Sequence, residues 1–338
     1  MQGYRIVFPE TGHVELEGFH VHEPKDNEVV VSIKFTLISN GTEKACLIGE
    51  NNTRNIPRRY GYSSVGYVVR KGKKVQSLKE GDRVFANYTG HANYGIRPVS
   101  DVIKIPDEVD LENAVFLKLA SFPLLALRRS QYEIGESIVI VGTGMLGLLG
   151  VQIARICGAV PLIAVGGSRQ DRLEKAKVFG ADYVVSANDP ELVQNIKSIA
   201  ERHTMCKGAN VIIETSGAES ALQAALRYAS KNARIMINGC NRVVTEPIDV
   251  YEYIHKKGVS IIGANNSNRP SADSSLRGWT THRDYKLMLE WMASGRLDAR
   301  SLISEYASPQ DCKTVFNRLI NDREFPLGVL FDWEEFHR

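Results

Sequence analysis

The run Gly142-Thr143-Gly144-Met145-Leu146-Gly147 directly follows the apolar residues Ile138-Val139-Ile140-Val141 and opens an apolar helical stretch from Met145 to Cys157. Glycines at this spacing between a strand and a helix suit one kind of chemistry: they hold a pyrophosphate. Gly142 permits the tight turn, Gly144 lets backbone approach the phosphates, and Gly147 lets helix and strand pack closely. The helix start adds unpaired N–H groups and a positive dipole end. Thr143, Met145 and Leu146 share the turn and complete the expected phosphate-binding set.

The end of the next strand decides which dinucleotide is bound. An acidic residue about 20 residues past the glycines would hold an unmodified adenosine ribose. This chain reads Ala164-Val165-Gly166-Gly167-Ser168-Arg169-Gln170-Asp171-Arg172, with no acid at the strand end. Gly167 leaves room, Ser168 can donate a hydrogen bond, Arg169 can clamp a phosphate, and Arg172 is a second cation nearby. Asp171 lies too far into the helix to serve as the ribose ligand. The pattern predicts NADP over NAD; the alternative is that both arginines only form a solvated helix face.

Two kinds of element must position these residues. In the first third, short runs such as Val29–Phe35, Gly66–Val69 and Arg83–Ala86 alternate apolar and polar residues between turn signals, which suggests a small β-barrel or curled sheet. From about residue 119, strands alternate with helices. Apolar runs at 137–141, 162–165, 183–185, 211–213, 235–237 and 259–262 are separated by helical stretches that include 170–179, 190–201 and 219–229. That alternation reads as an α/β, doubly wound parallel sheet. After residue 264 a polar loop, Asn265 to about Thr281, precedes a helix over 283–294, a helix over 309–321 and a strand over 328–331. Ligands of open α/β sheets sit at the carboxyl ends of strands. Asn238-Gly239 after the fifth strand and Asn265 after the sixth are therefore expected at the cofactor or substrate.

The chain of 338 residues is 43% hydrophobic and 24% charged, ordinary for a globular protein and long enough for two domains. With 42 basic against 39 acidic residues, charge gives no reason to expect nucleic acid or a membrane surface as partner. Five separated cysteines with no CxxC pair argue against a disulfide framework or a zinc knuckle, and predict reduced thiols in a cytoplasmic protein. No signal segment and no long apolar run stand out.

The chain also resembles the medium-chain dehydrogenase/reductase superfamily over nearly its whole length. The resemblance is carried by Asn40-Gly41-Thr42-Glu43, Gly61-Tyr62-Ser63-Ser64-Val65-Gly66-Tyr67-Val68-Val69, Leu78-Lys79-Glu80-Gly81-Asp82-Arg83-Val84, the glycine fingerprint, Phe179-Gly180-Ala181-Asp182 and Glu214-Thr215-Ser216-Gly217. It implies a GroES-like β-barrel catalytic domain, residues 1–118 completed by 266–338, and a Rossmann domain, residues 119–265. Thr215 and Ser216 join the expected cofactor site. It also implies a homodimer or homotetramer, paired through the edge strand near Val259–Ile262.

The departures are as informative. Zinc-binding members carry Cys-Gly-Thr-Asp where this chain has Asn40-Gly41-Thr42-Glu43, and Gly-His-Glu where it has Gly61-Tyr62-Ser63. The third ligand position falls near Leu117, and the cysteine-rich lobe after Val84 is absent. Asn, Tyr and Leu do not make a zinc site, so no metal is expected. Another group must then handle the substrate proton. His91 and Lys118 are the first candidates, then Glu43 and Tyr62. Each has a structural alternative: a satisfied core histidine, a solvated lysine, a helix-capping glutamate and a packed aromatic. Asn40, Trp279 and His282 are candidate substrate contacts. The resulting expectation is a zinc-independent NADP(H) oxidoreductase interconverting alcohol and carbonyl on a small sugar, polyol or cyclitol-like substrate. A zinc-independent enoyl or quinone reductase and a non-catalytic NADP-binding protein are the alternatives.

The cofactor reading makes one prediction. Arg169→Ala should erode the preference for NADP over NAD, read as the ratio of the two Kd values; an unchanged ratio would contradict it.

Overall fold

The strands Ile138–Val141 and Leu162–Gly166 are buried at every position, as strands covered on both faces are. They lie in a six-stranded parallel sheet ordered Tyr183–Ser186, Leu162–Gly166, Ile138–Val141, Ala209–Glu214, Ala229–Ile237, Ser260–Gly263. In sequence order this is 3-2-1-4-5-6, the doubly wound Rossmann arrangement. The computed structural model describes residues 1–51, 53, 56, 58–242, 247–270 and 279–337.

The chain divides into two compact units, Leu119–Asp284 and Met1–Lys118 with Tyr285–Arg338. The return to the first unit falls at Tyr285, not at the expected 266. The reason is a buried ionic cluster. Asp284, with a fully buried carboxylate, pairs with Arg269, whose side chain is 2% exposed, and with Arg128 at 2.8 Å. Arg269 also donates to the Ser121 carbonyl and to Asn266 Oδ1. The stretch after residue 264 reads as polar loop, yet these bonds tie its described part to the Rossmann unit. Residues 271–278 of that expected loop lie outside the described residues.

The boundary at 118 falls inside a helix, Leu117–Ser130, that the sequence pattern does not reveal. Pro123 sits within it, where proline ordinarily breaks a helix, and its ring packs near Gly150 of the helix Met145–Ile156: a Cβ at Gly150 would lie 3.3 Å from Pro123 Cβ.

The other unit contains a seven-stranded sheet. Its path runs Ile303–Ala307, Gly328–Asp332, Glu28–Leu37, Ser63–Lys71, Arg83–Asn87, Val102–Lys104, with Tyr94–Pro98 also paired to Glu28–Leu37. All pairings are antiparallel except Ile303–Ala307 with Gly328–Asp332. The late segments are part of its core: Phe316 and Phe331 are wholly buried beside Phe8, Val29 and Ile33. Among the described residues, no helix is long and apolar enough to cross a membrane.

Candidate active site

In the Rossmann unit the glycine turn is set by sterics. Gly142 has φ +104°, and a Cβ there would lie 2.8 Å from Thr215 Oγ1. A Cβ on Gly147 would fall 1.7 Å from the Gly142 carbonyl oxygen. Nothing stands within 4 Å of the Cβ position of Gly144, the residue that caps the helix Met145–Ile156. Two glycines thus close the turn, and the third leaves open ground where a phosphate can approach backbone. Met145 and Thr143 are buried. Met145 packs inward and Thr143 fills the space over Gly166, so both offer the ligand mainly backbone. Leu146 is half-buried.

Thr215 Oγ1 donates to the Val141 carbonyl at 2.7 Å, and Ser216 donates N–H and O–H to Glu214 Oε1. Their hydroxyls therefore brace the glycine turn. Burial raises the Glu214 carboxyl above its usual range, against the hydrogen bonds from Ser216 and Gly217. Gly239 packs tightly, with Gly217 N at 2.5 Å and Glu214 Oε2 at 2.8 Å from where its Cβ would be. Asn238 is 6% exposed. Asn265 caps a short turn, accepting from Ser267 N at 2.9 Å.

At the end of the second strand Gly167 faces open space and Ser168 is exposed. Arg169 chelates Asp171 through Nε and Nη2, both at 2.9 Å. That bond holds the Asp171 carboxyl below its usual range. The Arg172 guanidinium is pushed down by burial and by Arg169 beside it. The expectation of a simple phosphate clamp is thus modified: a phosphate must share Arg169 with Asp171.

In the first unit His91 and Glu43 have fully buried side chains and bond to each other at 2.9 Å. His91 Nδ1 is 2.8 Å from Thr36 Oγ1, which also accepts from Trp333 Nε1 at 3.1 Å. The other Glu43 oxygen accepts from the Ser39 N–H at 3.0 Å, at the start of the helix Asn40–Leu47. This placement favours the structural alternative for His91 and Glu43 over the proton-donor expectation. Both side chains are wholly buried within their own unit, with Phe316 and Phe331 against the His91 ring. They hold the helix that carries Asn40.

Tyr62 and Lys118 stand differently. Tyr62 is half-buried and its hydroxyl bonds to Ser39 Oγ. Lys118 is 6% exposed, with Nζ 4.9 Å from the centre of the Tyr88 ring. The Tyr88 and Tyr62 rings are 6.4 Å apart. Tyr88 is exposed and has φ +57°, a conformation rare for an aromatic residue and costly to hold. Asn40 Nδ2 donates to the carbonyls of Pro326 and Leu327 at 2.9 and 3.0 Å, while Oδ1 is buried without a hydrogen-bond partner among the described residues. Trp279 carries guanidinium groups near its ring, Arg128 at 3.6 Å and Arg283 at 4.8 Å. His282 is exposed.

Two family models match the chain: the alcohol dehydrogenase GroES-like domain over residues 25–106, and zinc-binding dehydrogenase over residues 146–293. The chain belongs to the medium-chain dehydrogenase/reductase superfamily. D-xylulose reductase of Saccharomyces cerevisiae is 25% identical, with 92% of each chain covered. D-guloside 3-dehydrogenase of Escherichia coli is 26% identical, covering 80% of this chain and 77% of the relative. The crystal structure of galactitol-1-phosphate dehydrogenase from Escherichia coli superposes with a TM-score of 0.84 at 20% identity, covering 97% of this chain and 99% of the other. This superfamily member is thus an oxidoreductase with a nicotinamide cofactor site.

The metal positions of the superfamily do not fit zinc in this chain. Asn40 spends its nitrogen on backbone carbonyls, Tyr62 is bonded to Ser39, and Leu117 is a fully buried alkyl group. Among the described residues no three His, Cys, Asp or Glu side chains converge to hold a metal ion.

Reading the sequence misses Ser39, Tyr88 and Glu214. Ser39 adjoins the Asn40 motif and was within reach; a strained φ at Tyr88 is not encoded by residue type. The reassignment of His91 is testable. His91→Gln should lower stability by about 2–4 kcal/mol, since a buried hydrogen-bond network loses a partner, while kcat stays within a few-fold. Thermal melts and steady-state rates measure both. A kcat loss above 100-fold with unchanged melting would contradict it.

Proposed function

We propose that this protein is an NADP(H)-dependent oxidoreductase that interconverts alcohol and carbonyl on a small polyhydroxylated substrate without zinc. Tyr62 is the proton donor and Lys118 its electrostatic support. The observation that carries this reading is the array formed by Tyr62, which stands in a metal-ligand motif, and the residues beside it. Ser39, Tyr62, Tyr88 and Lys118 form a connected polar and aromatic cluster there. The sugar- and polyol-acting relatives support the substrate class, and the absence of an acid at Gly166–Ser168 together with Arg169 and Arg172 supports the phosphorylated cofactor.

The nicotinamide supplies the chemistry of accepting or returning a hydride. This chain's residues do the rest. In the reducing direction, Tyr62 Oη gives its proton to the substrate carbonyl oxygen. The Ser39 hydroxyl donates to the phenolate left behind, and the Lys118 ammonium stabilises it. In oxidation Tyr62 takes the hydroxyl proton back and releases it to solvent. Asn40 Oδ1, a buried acceptor without a partner among the described residues, is available to a substrate hydroxyl, which would relieve its unpaired state. The Ser260–Gly263 strand, at the sheet edge, is where two copies would pair into a homodimer.

Tyr62→Phe should lower kcat by about 10²-fold or more while leaving the dinucleotide Kd unchanged. Lys118→Met should shift the pH dependence of kcat upward, because the phenol loses a neighbouring cation that favours its ionised form. Stopped-flow rates and a pH profile measure these outcomes. Wild-type kcat in Tyr62→Phe would overturn the assignment.

A further inference from the structure

Asn238 follows the strand Ala229–Ile237 and is 6% exposed. Its Nδ2 donates to the carbonyl of Phe122 at 3.1 Å and that of Ala264 at 2.9 Å. Two carbonyl acceptors fix the orientation of the amide, because the flipped form would set oxygen against both. Oδ1 is left buried with no hydrogen-bond partner among the described residues. An unpaired buried amide oxygen is costly to keep, and a ligand donor would relieve that cost.

The surrounding backbone is already committed. The N–H groups of Asn238 and Gly239 both donate to the Glu214 carbonyl, at 2.9 and 2.7 Å, and Gly239 has no room for a side chain. Oδ1 is thus the acceptor at this loop whose hydrogen bond is unmade among the described residues. Sheet order says which part of a ligand comes here. The adenosine end of a dinucleotide lies by the end of Leu162–Gly166 and the pyrophosphate by Gly142–Gly147. The opposite half extends over Ala209–Glu214 and Ala229–Ile237, on the other side of the central strand. The nicotinamide half offers a carboxamide –NH2, a donor that matches an amide oxygen.

We infer that Asn238 Oδ1 accepts a hydrogen bond from the nicotinamide carboxamide, making Asn238 the residue by which this chain selects and orients the reactive ring. The inference rests on the dinucleotide reading above. Its test uses the full-length protein and equilibrium binding by calorimetry. NADP+ and NAD+ are each paired with the 3-acetylpyridine analogue, in which a methyl group replaces –NH2 and everything else is retained. Wild type should prefer the natural ring about tenfold. In Asn238→Ala, the preference should fall to within twofold, with the affinity for adenosine 2′,5′-bisphosphate unchanged. Asn238→Ser provides the same comparison if the alanine variant does not fold. A wild type that binds both rings equally, or variants that keep the preference, would overturn the inference; the latter would also follow if Oδ1 served a ribose hydroxyl. Failure of the dinucleotide reading looks different, because wild type would then bind neither dinucleotide nor the bisphosphate fragment.

Discussion

Helix Met145–Ile156 approaches strand Ile138–Val141 so closely that a single methyl on Gly147 would fall 1.7 Å from the Gly142 carbonyl oxygen. Much of the Rossmann unit's site follows from that contact. It aims the helix start at open ground above Gly144, where a positive dipole end and free N–H groups favour phosphate. It forces the next loop to fit by hydrogen bonding, which Thr215 does through Val141 and Ser216 and Gly217 do through Glu214. That loop leaves no volume beside Gly239, so the chain enters the following turn with Asn238 in one orientation. One steric limit is carried across three strand ends.

The first unit solves a different problem. A buried histidine–glutamate pair is costly to desolvate and stays only where every polar atom has a partner. Here Thr36 and the Ser39 N–H supply those partners, and Trp333 in turn donates to Thr36. The network locks helix Asn40–Leu47 against the sheet and so places Ser39 and Asn40 at its first turn. The neighbours Tyr62 and Tyr88 remain only partly enclosed, with Lys118 against the Tyr88 ring.

The glycine turn was legible because its sterics are local and glycine is the one residue type that satisfies them. The two-part fold was legible because strand–helix alternation and apolar runs record burial directly. The two readings of His91 could not be separated in the sequence because its enclosure depends on Thr36, Glu43 and Phe331, which are distant in sequence. Arg169 was only half legible: its charge is visible, but its chelation by Asp171 depends on how the helix Gln170–Val178 begins. The boundary at 266 was displaced because Arg269 and Asp284 look like surface charges until their burial is seen.

In the function proposed above, a side-chain proton donor stands in place of the metal that gives this superfamily its zinc-binding members. The direct measurement is NADPH-dependent reduction of a panel of ketoses and keto-polyols by protein dialysed against a strong chelator, with its metal content determined on the same sample. Undiminished turnover at a zinc content far below one per chain is the result predicted. Loss of turnover on chelation, restored by added zinc, would contradict the account.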